Sequence, residues 1–232
     1  MQWIDRLSLF STPDFVGLAL LFASWLVIGW FIENPPAKRP SVSYLMTFYR
    51  REWMRQFIFR DPRIFDAQIL GNLRQGTAFF ASATMIAIGG GLALIGNAEQ
   101  LTGVASELTL MSAPTIVWEI KLILMVFFVA NAFLKFVWSH RLFGYAAVIM
   151  SAVPVDPNDP HCIPRAEKAA EIGISAARSY NRGLRSIYFG LAACAWLGGG
   201  FVLMLACILT NFIVWRREFA SHSRLSLLRE PR

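Results

Sequence analysis

The sequence predicts an all-α, polytopic integral membrane protein. It is read as a single domain over residues 1–232, a bundle of about four transmembrane helices with amphipathic helices at the membrane face. Three observations carry this. First, 56% of the 232 residues are hydrophobic and only 16% are charged, where a soluble domain carries about 25% charged residues. Second, four apolar stretches, near 13–33, 77–98, 115–138 and 187–215, reach the length of a bilayer-crossing helix, which takes about 20 residues. Third, the net charge of +7 is gathered in blocks between those stretches, as the positive-inside bias of membrane proteins requires. That bias explains the basic residues without nucleic acid, and no nucleic-acid partner is expected.

Taken in order, the chain opens on Met1–Phe10, which has no cluster of basic residues. No small-residue cleavage site follows the first apolar run, so the first helix is expected to stay in the protein. Thr12 reads as its N-cap, Pro13 as the first helical position and Asp14 as a first-turn acid. The apolar run Phe15–Ile32 stops at Asn34-Pro35-Pro36, where prolines forbid further helix. Residues 37–76 form a basic loop with structure of its own. Val42, Leu45, Met46, Tyr49, Trp53 and Phe57 share helical spacing, with Thr47, Arg50, Arg51 and Arg55 on the other side. This amphipathic segment, about 41–60, suits the headgroup layer and suits packing on the protein's own helices equally well. Asp61-Pro62-Arg63 ends it and starts another helix.

The second transmembrane helix, from about Thr77 to Ala98, centres on Gly89-Gly90-Gly91. Small residues let helix backbones approach closely in lipid, so this helix is expected to be enclosed by protein. The connector 99–113 carries Glu99 and Glu107 and no cation. Pro114 opens the third helix, and nothing breaks the pattern before Pro154. Forty residues at 1.5 Å make roughly 60 Å, about twice the hydrocarbon thickness. The helix therefore leaves the membrane or bends near Asn131–Arg141. After the turn-rich 155–160, a second amphipathic segment, about 165–186, sets Ala170, Ile174, Ala177 and Leu184 against Glu171, Arg178, Arg182 and Arg185. It runs unbroken into Ile187–Trp215, whose middle is Gly198-Gly199-Gly200. That stretch is one long kinked span or a re-entrant hairpin of two short helices.

Charge counts thread the chain. Eight Lys and Arg lie in 34–76, six in 139–185 and five after Trp215; 99–113 has none. Loops 34–76 and 139–185 are therefore placed in the cytoplasm of a bacterial inner membrane, with the N-terminus and the acidic connector outside. The arginine-rich tail joins the cytoplasmic side only if 187–215 turns back.

The segment Glu119–Arg141 carries Glu119, Lys121, Asn131 and Lys135 inside an apolar run. An ionisable group at membrane depth costs about 2.5–3.5 kcal/mol on insertion scales, so each needs a partner or a purpose. Lys121, Asn131 and Lys135 fall on one helical stripe that Trp138 continues, with Glu119 off it. Three readings stand: lysines snorkelling to the two interfaces; a net-cationic lining of an oligomer axis or cavity, fit for small anions; or internal pairs, Glu119 with Lys121 and Asp66 with Lys135. Tyr49-Arg50-Arg51-Glu52-Trp53 is echoed by Trp215-Arg216-Arg217-Glu218-Phe219. With Arg55, Arg63, Arg182 and Arg185, these arginines are candidate contacts for anionic lipid head groups or an acidic partner. Asp66, Glu52 and Glu218 are candidates for structural pairing.

Metal, cofactor and catalytic roles have no support in the pattern. The three histidines, His140, His161 and His222, are scattered, and no nucleophile, phosphate-loop or metalloprotease motif occurs. Cys162, Cys194 and Cys207 read as reduced thiols.

Several of these segments resemble a bacterial and plant membrane-protein family known only as domain of unknown function 599. The likeness lies in Tyr49-Arg50-Arg51-Glu52-Trp53, Asp61-Pro62-Arg63-Ile64, Asp66-Ala67-Gln68, Gly71-Asn72-Leu73, Phe79-Phe80-Ala81-Ser82, Lys135-Phe136, Trp138-Ser139, Asn181-Arg182-Gly183-Leu184-Arg185, Tyr188-Phe189 and Arg216-Arg217-Glu218-Phe219. The resemblance spans most of the chain. It implies a helix disturbance in the last apolar run and carries no activity. The expected function is a non-enzymatic, homo-oligomeric membrane protein with a polar path for small ions. The alternative is an accessory or scaffold subunit of a larger membrane complex.

Overall fold

A computed structural model describes residues 8–99 and 113–229. Its helices are α1 (Thr12–Glu33), α2 (Val42–Phe57), α3 (Ile64–Gly96), α4 (Thr115–Ser151), α5 (Cys162–Cys194), α6 (Gly200–Phe219) and α7 (His222–Leu228), with a 3-10 turn at Ala195–Gly198. No strand forms among the described residues. Four segments are long and apolar enough to cross a membrane: Thr12–Glu33, Ile64–Gly96, Thr115–Ser151 and Gly200–Leu228. The acidic connector lies outside the described residues but for Glu99 and Ala113.

Local chemistry sets the helix ends. The Ser11 N–H and hydroxyl donate to Asp14 Oδ2 at 2.9 and 2.6 Å. The carboxylate reaching back in this way is half of a capping box, so Ser11 caps α1, one residue before the predicted Thr12. Ser41 caps α2: its hydroxyl accepts from the Tyr44 N–H at 3.1 Å and donates to the Ile32 carbonyl at 2.7 Å. α4 runs unbroken for 37 residues, roughly 55 Å at the helical rise. It therefore extends beyond the hydrocarbon core and does not break near Asn131–Arg141. α3 likewise continues the end of the basic loop into the second apolar stretch.

The last apolar stretch turns back. Gly199 holds φ 101°, a left-handed conformation that glycine enters without steric cost. Arg217 Nη1 then reaches the Tyr188 hydroxyl at 2.6 Å across 29 residues, so α6 returns alongside α5. The arms, 33 and 20 residues, are longer than the two short halves expected of a hairpin. α5 has taken up the whole amphipathic segment before it.

The chain divides into two compact units. The first comprises Met1–Trp30, Thr84–Ala132 and Leu184–Arg217; the second Phe31–Ala83, Phe133–Gly183 and Glu218–Arg232. In the first, Leu21, Trp118, Phe128, Phe189, Trp196 and Leu203 are wholly or almost wholly buried. Phe128 meets Phe22 at 5.7 Å and Trp25 at 5.2 Å between ring centroids.

In the second unit, Met54, Phe57, Leu70, Phe143, Ala166 and Ala170 form the centre of the core. The inward face of α2 is set by Trp53, Met54 and Phe57, whereas Met46 and Tyr49, predicted on that face, are exposed. The tail and both basic loops meet here. Arg224 donates to the Pro40 carbonyl at 2.8 Å. Glu218 accepts from the Ser43 N–H at 3.0 Å and its hydroxyl at 3.1 Å. Arg63 donates to the carbonyls of Val153 and Pro154, both at 2.7 Å.

The expectation that α3 is enclosed fails. Its most apolar window is 6% buried, against 28%, 28% and 22% for the other three spans. Gly91 does allow a close approach, since a Cβ there would lie 2.5 Å from the Val126 side chain. Gly89 and Gly90 have nothing within 4 Å. Three successive residues point in three directions around a helix, so a run of glycines marks one contact and not an enclosed helix.

Candidate functional site

The polar interior of the first unit begins near the start of α4. Lys121 is 6% exposed. Its ammonium lies 5.0 Å from the Trp118 ring centroid and 5.7 Å from that of Trp196, within the range of a cation–π contact. Trp196, on the 3-10 turn, is held by two contacts. Its Nε1–H donates to Asp14 Oδ1 at 2.7 Å, and Phe10 stacks on its ring at 5.6 Å. Asp14 supplies the counter-charge to Lys121 through space. Gly200 lies against the start of α1, where a Cβ would sit 2.4 Å from the Pro13 carbonyl carbon. The beginnings of α1, α4 and α6 therefore gather around this cluster.

Further along α4, Asn131 Nδ2 donates to the Ser186 hydroxyl at 2.8 Å, which accounts for an amide at membrane depth. Beside Ser186 in sequence, Arg185 is 7% exposed and its guanidinium passes Gly29, 3.7 Å from where a Cβ would stand. The amphipathic pattern had put Arg185 on the polar face of α5. Helix packing makes it an inward residue, within ordinary van der Waals reach of position 29. Between Lys121 and Asn131, the wholly buried Phe128 closes the space with Phe22 and Trp25.

Of the predicted polar-path residues, Lys121 and Asn131 lie in the first unit, each with partners. Glu119, on the same stretch of α4, is partly exposed. Lys135 belongs to the second unit, where its side chain is partly exposed and its carbonyl accepts the Ser179 hydroxyl at 2.9 Å. The internal pairs that were considered do not form. Lys121 forms no ion pair with Glu119 among the described residues, and Asp14 is the acid whose charge reaches it. The partners of Asp66 are Arg60 at 2.5 Å and Trp53 at 2.6 Å. Residues that sequence reasoning passed over are Asp14, Trp118, Trp196 and Ser186. Asp14 read only as a first-turn acid, and its bond to Trp196 spans 182 residues, beyond the reach of any local pattern.

The arginines marked for lipid or partner contact are largely engaged within the protein. Arg51 pairs with Glu171 at 2.6 Å, and that hydrogen-bonded carboxylate holds its guanidinium above its ordinary pKa. Glu33 does the same for Arg182 through two hydrogen bonds. Arg55 lies 3.7 Å from Glu52. Arg63 sits over the Phe57 ring at 4.4 Å, and Arg217 lies over that of Tyr188 at 5.7 Å. Arg50 lines a small cavity with Trp53, Met54 and Phe143; Arg216 is exposed. The two Arg-Arg-Glu echoes differ in use. Glu52 is exposed and bonds within its own helix, while Glu218 is buried and caps α2.

The run Asn181 to Arg185 is explained by packing. Asn181 donates to the Ser43 hydroxyl at 3.3 Å and Arg182 binds Glu33. Gly183 leaves space for the Phe136 ring, whose nearest atom would be 2.7 Å from a Cβ.

Apolar helices of spanning length, with buried charges offset by partners and ring faces, define a polytopic α-helical membrane protein. A family model described as "Protein of unknown function, DUF599" matches residues 16–223, and the chain belongs to that family. No curated protein and no solved structure matches it.

Proposed function

We propose that the chain is a multi-pass, non-enzymatic protein of the bacterial inner membrane. In this reading it assembles as a homo-oligomer and gives small ions, anions favoured, a polar path. One observation carries it: two cations, Lys121 on α4 and Arg185 on α5, are buried in the first unit, where Asn131 of α4 is hydrogen-bonded to Ser186, the neighbour of Arg185. Buried ionisable groups in membrane segments commonly mark ion pathways. The packing of Phe128 with Phe22 and Trp25 corresponds to a closed state. Lys135, in the second unit, is then read as a cytoplasmic-face cation beside anionic head groups. The contacts that join the tail to loop 34–76, and that loop to 139–185, support all three on the cytoplasmic face.

Anion flux from proteoliposomes tests the path. Lys121→Ala and Asn131→Ala are each expected to cut the flux about tenfold, as loss of a charged or buried hydrogen-bonding group implies. Absence of flux, or flux unchanged in both variants, rejects the path. An accessory or scaffold subunit remains the second reading, favoured by the exposed face of α3, 6% buried. Native mass spectrometry from mild detergent that returns this chain alone counts against it.

A further inference from the structure

We infer that the Lys121 cluster is a binding site for one monoanionic phosphate group, reached from the end of the first unit where α1, α4 and α6 begin. The inference deepens the anion reading above and rests on it for the sign of the ligand's charge.

Hydrogen-bonding capacity is the first argument. Trp118 is 1% exposed, and its Nε1–H has no partner among the described residues. Lys121, about five-sixths of a turn further along the same helix, carries three N–H groups. Its contacts are two ring faces, and no acceptor bonds it among the described residues. Asp14 does not bond it: the bonds its oxygens accept come from Ser11 and Trp196. Buried donors are almost always satisfied. Among the described residues this cluster therefore offers donors of two kinds and has an acceptor for neither. An oxyanion with several oxygens can serve both; a single-atom anion serves them less well.

Electrostatics is the second argument. The first turns of α1 and α6 meet at Pro13, Asp14 and Gly200, and Lys121 lies in the second turn of α4. Helix N-termini carry partial positive charge and favour phosphate. Asp14 offsets Lys121, so the cluster is close to neutral before the helix ends are counted. That favours a single negative charge over a double one. The indole rings of Trp118 and Trp196 give apolar walls suited to a ligand at the end of a membrane span, where phosphate head groups lie. A lipid phosphodiester and free monobasic phosphate share this chemistry.

The full chain, purified in mild detergent, tests it with two probes. Native mass spectrometry reads retention of phosphatidylglycerol. Calorimetry on delipidated protein reads inorganic phosphate at mildly acidic pH, where the monoanion predominates. Binding of either probe that falls about tenfold or more in Lys121→Gln, as loss of a charge-assisted bond implies, and several-fold in Trp118→Phe, supports the site. Trp118→Phe keeps the ring face and removes only the N–H, so it remains decisive if Lys121→Gln does not fold. Lipid retention without phosphate binding assigns the lipid; phosphate binding assigns the free ion. Binding of neither probe, or binding unchanged in the folded variants, overturns the site. Flux is measured separately, so conduction and binding can fail independently.

Discussion

Alanine at Gly200 is expected to destabilise the protein by about 3 kcal/mol, the upper part of the range for overpacking. A Cβ there would lie 2.4 Å from the Pro13 carbonyl carbon and 2.6 Å from the Asp14 nitrogen. Both are backbone atoms at the first turn of a helix, so neither can move aside as a side-chain end would. The disturbance also reaches Trp196 through its bond to Asp14. Gly89→Ala is the control, because nothing lies within 4 Å of that position. It should stay within about 0.5 kcal/mol of wild type or gain slightly from helix propensity. Thermal unfolding in a single detergent checks the pair. Equal melting temperatures for the two variants would mean that α1 and α6 do not meet as described.

The second large effect is expected at Asp66, which is wholly buried near the start of α3. Asp66→Ala leaves the Trp53 Nε1–H without its acceptor and Arg60 without its counter-ion. Breaking a fully buried pair costs about 3–5 kcal/mol. Because the Arg60 side chain is 38% exposed, a smaller loss of about 2–4 kcal/mol is expected. Asp66→Asn keeps an acceptor for Trp53 and should lose about half as much. The same unfolding measurement ranks them. Asp66→Ala melting like wild type would remove Asp66 as the joint between α2 and α3.

These two sites show what the sequence could and could not reveal. The spans, the long α4 and the amphipathic segments were legible because bilayer thickness and helical periodicity act on neighbouring residues. Asp66 was legible as a pairing residue, since a carboxylate among arginines needs a partner; which arginine was not. The sequence reading set Lys135 beside Asp66, and the fold instead brings Arg60 to 2.5 Å. Gly198-Gly199-Gly200 announced a disturbance. Its form depends on φ at Gly199 and on the close approach of Pro13 to Gly200, a contact between residues far apart in sequence. At the candidate site, Lys121 and Asn131 stood out as polar groups in an apolar run. Their partners Asp14, Trp196 and Ser186 sit on other helices and carry no local mark. The glycines of α3 misled because residue type predicts that a close approach is possible, not which face receives it.

The proposed threading turns on the chain reversing at Gly199 and puts the tail on the membrane face of the two basic loops. Labelling with a membrane-impermeant maleimide tests this most directly, in vesicles of known orientation and in a chain whose own cysteines have been replaced. Single cysteines at Lys38, Asn158, Ser223 and Glu99, all exposed, are the probes. The account predicts that Lys38, Asn158 and Ser223 react from one face and Glu99 from the other. Reaction of Ser223 together with Glu99, from the face opposite Lys38 and Asn158, would contradict it.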